Sequence, residues 1–251
     1  LGYEVSGVAA PFLLDQIVIC DARQWVKSLP DGCADFLLWD PDYGVEGAYT
    51  VGTRMGREEA LAFVEELLPE LRRVTRSGQA VVFWSGSVGR VQDFLTSRVN
   101  SIWQIHYMGI WHKTNSAPAS GDGLSRGFEP WFWLKDGPKP AGEWEFLPDV
   151  LSAPRVVGGF KEAAGHPAQK PVRILEQLIR FFTLPGQVVL DPTAGSGSTA
   201  VAARRAGRRY LCCEIVPEYA EIARRRVART GVQPMLAAEI CVQAGLFDGS
   251  R

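Results

Sequence analysis

The chain has 251 residues, 46% hydrophobic and 22% charged, with a formal net charge of −1. That suits one sizeable globular core, and it argues against a general polyanion binder, whose domain is usually basic. No apolar run approaches the ~18 residues of a membrane span, and the first eleven residues lack the basic start of a signal peptide. The five cysteines (Cys20, Cys33, Cys212, Cys213 and Cys241) form no C-x-x-C, and His106, His112 and His166 are scattered. Reduced thiols in a cytoplasm are therefore expected, with no metal and no disulfide framework.

In chain order, a short strand is predicted over 16–20 and one or two helical turns over 22–29, closed by Pro30-Asp31-Gly32. A second, buried strand covers 35–39, and the glycine-bearing stretch 44–56 reads as a loop. Leu61, Val64, Leu67, Leu68 and Leu71 recur at helical spacing within 57–75, with Ser77-Gly78 as the stop. A strand over 79–84, a helix over 88–99 and a long strand over 102–111 follow. The segment 115–127 reads as a loop, 128–135 as an aromatic-rich strand, and 136–165, with four Pro and five Gly, as irregular. A helix over 171–182, with Pro171 at its first position, precedes strand 187–190, helix 198–205, strand 208–213 and helix 217–229. The alternation predicts a doubly wound, mostly parallel α/β sheet covered on both faces. Strands 102–111 and 128–135, joined without a helix, should form an antiparallel edge pair. The whole reads as a single domain over 1–251. The arginine clusters Arg72-Arg73 with Arg76, Arg204-Arg205 with Arg208-Arg209, and Arg224-Arg225-Arg226 fall in helical segments, where the plain reading is a solvated face.

Two turns stand out. Asp191-Pro192-Thr193-Ala194-Gly195-Ser196-Gly197-Ser198-Thr199 follows the apolar Val188-Val189-Leu190. Small residues at a strand-to-helix turn let a ligand approach the backbone closely, but no Lys follows the last Gly, as a phosphate loop requires. The next strand ends in Glu214, where an acid can grip a ribose diol. Asp21, at the tip of the first strand, could accept a bond from an exocyclic amine. Together these describe a nucleoside with a carboxylate-bearing tail. The second turn, Asp40-Pro41-Asp42-Tyr43, ends strand 35–39. A prolyl turn there leaves the carbonyls of Asp40 and Pro41 free beside a carboxylate. Such acceptors suit an amino group with two N–H donors, and Tyr43 offers a face for a planar base. Ligands in open α/β sheets gather beyond the carboxyl ends of the strands, so both turns can face one pocket.

At these residues the sequence resembles the amino-group DNA methyltransferases, the N6-adenine and N4-cytosine enzymes that use S-adenosylmethionine. The resemblance takes in 21–43, the stretch His166-Pro167-Ala168-Gln169-Lys170-Pro171 and most of 191–229. With the amine turn first and the cofactor turn last, the order is similar to the permuted β group. The resemblance implies a class I, Rossmann-like fold and a single base-flipping reaction on double-stranded DNA, in a cytoplasmic enzyme of prokaryotic or phage type, the kind found in restriction-modification. It makes Asp40, Pro41 and Tyr43 catalytic. It assigns Asp21, Asp191, Pro192, Ala194, Gly195, Ser196, Gly197, Thr199, Glu214, His166 and Lys170 to the S-adenosylmethionine side. Asp40 at the first position favours adenine N6, since the cytosine enzymes often carry Ser there. Methylation of cytosine N4 or an RNA base, and a catalytically silent S-adenosylmethionine- and DNA-binding subunit, are the alternatives.

Two features depart from that pattern. Asp42 replaces the usual second proline. The segment where a sequence-reading module is expected, 136–165, is only about 30 residues long. Readout would then come from it together with loops 44–56 and 115–127, or from a homodimer or another partner. Arg54, Arg57, Lys113, Arg126, Lys139, Arg155 and Lys161 are the candidate DNA contacts.

Overall fold

A computed structural model describes residues 14–41, 56–84, 88–116, 127–158, 163–164 and 168–231. Its elements, in chain order, are β1 (Gln16–Ile19), α1 (Ala22–Ser28), β2 (Phe36–Trp39), α2 (Arg57–Val74), β3 (Gln79–Phe83), α3 (Val88–Thr96), α4 (Val99–Ile102), β4 (Gln104–Lys113), β5 (Phe128–Lys135), β6 (Val150–Ala153), α5 (Val172–Phe182), β7 (Val188–Asp191), α6 (Ser198–Arg205), β8 (Arg209–Glu214) and α7 (Pro217–Ala228). The strands form one sheet in the order β1-β8-β7-β2-β3-β5-β4-β6. β5 runs antiparallel to both β3 and β4, and the other neighbours are parallel.

Period-two alternation divides the core into two layers. Phe36, Leu38, Val81, Phe83 and Val189 pack with Leu175, Leu178 and Phe182 of α5 and Ala200 and Ala203 of α6. Leu37, Trp39, Ala80, Val82 and Leu190 pack with Trp25 of α1 and Phe63, Leu67 and Leu71 of α2. Strands buried on both faces must be apolar throughout, which is why Phe36-Leu37-Leu38-Trp39 is buried at every position. Because α6 lies in one layer and α2 in the other, the chain reverses its winding between neighbouring β7 and β2. A crevice opens at such a switch point.

The doubly wound, mostly parallel sheet agrees with the sequence reading, and three details differ. The helix expected over 88–99 is two helices. Ser97 donates its hydroxyl to the Phe94 carbonyl at 2.6 Å and accepts the Val99 N–H at 3.3 Å, ending one helix and opening the next. Pro171 is the N-cap of α5 rather than its first residue. The segment expected to be irregular contributes β6, which pairs with β4 from Ile110 to Lys113 and so lies outside the antiparallel pair. Gly109 allows β4 to pass β5 closely, since a Cβ there would fall inside the Trp131 indole.

Candidate active site

The carboxyl ends of β7 and β2 bring the two turns side by side, with Leu37 paired to Leu190. Thr193 joins them. The Trp39 indole Nε1–H donates to Thr193 Oγ1 at 3.0 Å, and Thr193 Oγ1 donates to the Asp40 carbonyl at 3.3 Å. The Asp40 carbonyl is therefore engaged by the neighbouring turn, not free as the sequence suggested. Pro41 is buried beside it. Asp42, Tyr43 and loop 44–55, including Arg54, lie outside the described residues, as do Arg126, Lys161 and His166.

The glycine-rich turn is held from three sides. Gly195 and Gly197 have φ of 52° and 77°, where side chains are strained. A Cβ at Gly197 would also stand 2.6 Å from the Ala223 Cβ of α7. Glu214, at the end of β8, accepts the Gly195 N–H on Oε2 at 2.7 Å and the Val216 N–H on Oε1 at 2.9 Å. Arg226 reaches from α7 to the Ser196 carbonyl at 2.6 Å, to Ser196 Oγ at 3.0 Å and to Ser198 Oγ at 3.2 Å. Arg224 donates to the Ile17 carbonyl at 2.6 Å. Two members of the 224–226 cluster, the exposed Arg224 and the half-buried Arg226, thus also latch neighbouring backbone groups. Pro192 and Ala194 form the bend, with the Ala194 N–H on the Cys213 carbonyl at 2.8 Å.

Asp191 is 2% exposed. Burial, together with the charges of Asp40 and Glu214, pushes its carboxyl up to about 7, against hydrogen bonds from Thr199 and the Thr193 N–H. Burial likewise raises Glu214, against bonds from the backbone N–H groups of Val216, Gly195 and Ile215. Asp21, at the tip of β1, caps α1 by accepting the Arg23 N–H at 2.7 Å. Three strand tips therefore present acids beside a turn that offers the N-terminal end of α6. This suits a ligand with a cationic centre, a carboxylate and hydroxyl groups.

Lys170, assigned by the resemblance to the S-adenosylmethionine side, pairs with the Asp40 turn. Its Nζ is 2.8 Å from Asp40 Oδ1 and 2.8 Å from Glu129 Oε1, and its side chain is 5% exposed. Glu129 pairs in turn with Lys113 Nζ at 3.0 Å. Burial alone would raise the Glu129 carboxyl, but the two lysines outweigh it and hold it below the usual range. The result is a row of alternating charges, Asp40–Lys170–Glu129–Lys113, buried at Lys170 and Glu129 and open at Asp40, contributed by the end of β2, the entry to α5, β5 and β4. Glu129 and Thr193 were absent from the sequence-derived site. The signal for Glu129 was an acid alternating with Trp131 and Trp133 in an otherwise apolar strand.

The candidate DNA contacts are not all at this end of the sheet. Lys113 is part of the charged row and packs over Trp111, so it is an inner residue rather than a surface cation. Arg155 is exposed on the same rim, its backbone tied to the Asn115 side chain at 2.6 and 3.1 Å. Arg57 opens α2 and is paired with Asp93 at 2.5 and 2.7 Å. Lys139 is at the opposite end, bonded to the Phe181 carbonyl at 3.0 Å and lying over the Phe181 ring. It closes the end of α5 and does not join the site.

A family model described as DNA methylase, N6_N4_Mtase, matches residues 34–225. The chain belongs to this family of N6/N4 DNA methylases. YubD of Escherichia coli (strain K12), a methylase by name, is 32% identical to it over 210 residues, 83% of this chain and 88% of YubD. The type II methyltransferase M2.DpnII of Streptococcus pneumoniae is 27% identical over 237 residues, 84% and 88% of the two chains. Among solved structures, TTHA0409 of Thermus thermophilus complexed with S-adenosyl-L-methionine is similar at TM-score 0.64 and 25% identity, covering 88% of the methylase and 99% of that chain. The PvuII cytosine-N4-specific DNA methyltransferase shares the fold at TM-score 0.70 and 15% identity, over 94% and 93% of the chains. Among the described residues of the methylase, no group of three or more His, Cys, Asp or Glu is placed to hold a metal, and no helix is long and apolar enough to cross a membrane.

Proposed function

We propose that this methylase transfers a methyl group from S-adenosylmethionine to the exocyclic amine of a base in double-stranded DNA, with adenine N6 the preferred target. The observation that carries this reading is the Thr193 bridge, which sets the Asp40 turn against the glycine-rich turn at the β2–β7 crevice. The residues present suit the cofactor. Asp191 is a buried carboxylate flanked by two other acids, and a cationic sulfonium and ammonium relieve that arrangement. Glu214 is positioned for a ribose diol, and the Gly195–Gly197 turn for close approach of the tail.

When bound, S-adenosylmethionine supplies a methyl group activated by a positive sulfur. The work of the protein's own residues is positional. An exocyclic amine is a weak nucleophile because its lone pair is delocalised into the ring. Asp40 and the Pro41 carbonyl accept its N–H bonds, which moves the nitrogen towards sp³ character and aims the lone pair across the crevice. Lys170 holds Asp40 in place through the ion pair at Oδ1. Most of the acceleration then comes from proximity and orientation and from fixed charges around the vanishing sulfonium. A base in a duplex must leave the stack to reach this depth, and Tyr43 is the residue assigned to clamp it. Arg155 and Arg57 at the rim, with Arg54, Arg126 and Lys161, are proposed as DNA contacts, and 153–165 and the neighbouring loops as the sequence-reading segments. Asp40 at the head of the turn supports adenine.

The test is sequencing of DNA from cells expressing the protein, with detection of N6-methyladenine and N4-methylcytosine, alongside an Asp40→Ala control. A single methylated motif that disappears in the control is expected. Cofactor binding without methyl incorporation into any DNA would overturn the reading in favour of a silent binding subunit.

A further inference from the structure

We propose that Lys170 is a base-reading residue: its ammonium donates to the ring nitrogen next to the target amine, while Asp40 accepts from the amine itself. This rests on the methyl-transfer reading above and adds to it the chemical edge that the pocket recognises.

Adenine carries its exocyclic amine beside N1, and cytosine carries its own beside N3. Each ring nitrogen is a lone-pair acceptor, so both bases present a donor next to an acceptor. The complementary edges of thymine and guanine place a ring N–H beside a carbonyl and so reverse the order. A pocket that takes amino-bearing bases needs an acceptor and a donor side by side. Asp40 Oδ1 and Lys170 Nζ are that pair, 2.8 Å apart. An ammonium carries three donors and no acceptor, so it cannot accommodate a ring N–H. The reading is therefore selective for the amino bases and indifferent between adenine and cytosine.

The surroundings fix this donor rather than leaving it to sample positions. Glu129 holds Nζ from the far side at 2.8 Å, Lys113 holds Glu129 at 3.0 Å, and the Phe83 ring lies 5.5 Å from the ammonium. Glu129 is thus a positioning residue, acting through Lys170. Two elements besides the Asp40 turn, β5 through Glu129 and β3 through Phe83, converge on one ammonium, more anchoring than is needed merely to neutralise an aspartate. Desolvated, charge-assisted donors of this kind are also the ones whose loss is felt.

The test removes the acceptor from the base. Duplexes bearing the methylated motif are synthesised with adenine, 1-deazaadenine or 7-deazaadenine at the target, or with cytosine and 3-deazacytosine if the target is cytosine. The wild-type protein should lose about tenfold or more in kcat/KM when the adjacent ring nitrogen becomes C–H, and should tolerate 7-deazaadenine. Lys170→Met should be slow on adenine yet nearly indifferent to the 1-deaza change. Equal wild-type rates on adenine and 1-deazaadenine, or a Lys170→Met variant that keeps the full discrimination, would overturn the assignment and leave Lys170 as a support for Asp40 alone. If Lys170→Met does not fold, the wild-type contrast between 1-deaza and 7-deaza substrates decides. Failure to find any methylated motif overturns the methyl-transfer reading, and this inference with it, before any deaza substrate is used.

Discussion

Asp40 and Asp191 sit at neighbouring strand ends, yet the fold treats them differently. Asp40 has a lysine at 2.8 Å, whereas Asp191 has only hydrogen bonds against its burial, and its carboxyl rises to about 7. The two should therefore respond differently to substitution. Asp40→Ala is expected to abolish methyl transfer while leaving the S-adenosylmethionine dissociation constant within about threefold, read by calorimetry; a truncated contact to the amine costs transfer, not cofactor contact. Asp191→Asn should weaken cofactor binding and raise the melting temperature of the ligand-free protein. The sign follows from linkage. A carboxyl raised above its ordinary 3.8 contributes stability that is fully present below that value and is lost as pH rises through about 7. The ligand-free protein should accordingly melt at a higher temperature at pH 6 than at pH 8, a difference that Asp191→Asn removes. Cofactor affinity should run the other way, falling as pH drops below 7 because a proton competes with the cationic tail. Asp40, Pro41, Asp191, Gly195, Gly197 and Glu214 were legible in the sequence because each belongs to a local turn pattern. Glu129 was not, because its role depends on an ammonium that arrives from Lys170, 41 positions away along the chain.

At the scale of elements, α6 and α7 make the glycine-rich turn possible, by contact as much as by sequence. Gly197→Ala places a methyl group 2.6 Å from the Ala223 Cβ at a φ of 77°. It should cost about 1–3 kcal/mol of stability in denaturant titration and loosen the turn. Arg226→Ala leaves the backbone conformation alone but removes the donor to Ser196 and Ser198. It should lower cofactor affinity severalfold with little change in melting temperature, a split that calorimetry and thermal melts can read together. Apolar periodicity placed most elements to within a residue or two. It missed the α3–α4 break because Ser97 acts there through its hydroxyl, which periodicity does not register. Pro69 shows the reverse case, since the exposed proline sits inside α2 without ending it. Such an interior proline removes one backbone donor, and the buried face of α2, from Phe63 to Val74, carries the helix past it.

At the scale of the whole molecule, the end of the sheet away from the site is closed by charge. Arg180 and Arg208, 3% and 0% exposed, share Glu143 at 2.7 and 2.5 Å, and Arg180 also meets the buried Glu176 at 2.9 Å. Glu143 belongs to the proline-rich segment that the sequence marked for recognition, so the first half of that segment is a structural strap. Among its described residues, those just beyond β6, such as Arg155, reach the rim. Composition gave the segment its irregular look; its tether to α5 and to the start of β8 depends on partners distant in sequence. Glu143→Ala removes the ion pair of buried Arg208 and one of the two carboxylate partners of Arg180, and should cost about 3 kcal/mol in chemical denaturation, allowing for Glu143's partial exposure, while sparing cofactor affinity. The Thr193 bridge has the opposite reach. Thr193 belongs to one turn and bonds to the other, so thermal displacements of the two are correlated. On the proposed reaction the two turns carry the methyl donor and the amine, so their separation is expected to fluctuate less than the position of either. Thr193→Val should release that correlation, seen as a drop in kcat at unchanged cofactor and DNA affinity. On that reading the methylase sets its reaction distance by a shared fastener rather than by the stiffness of each part.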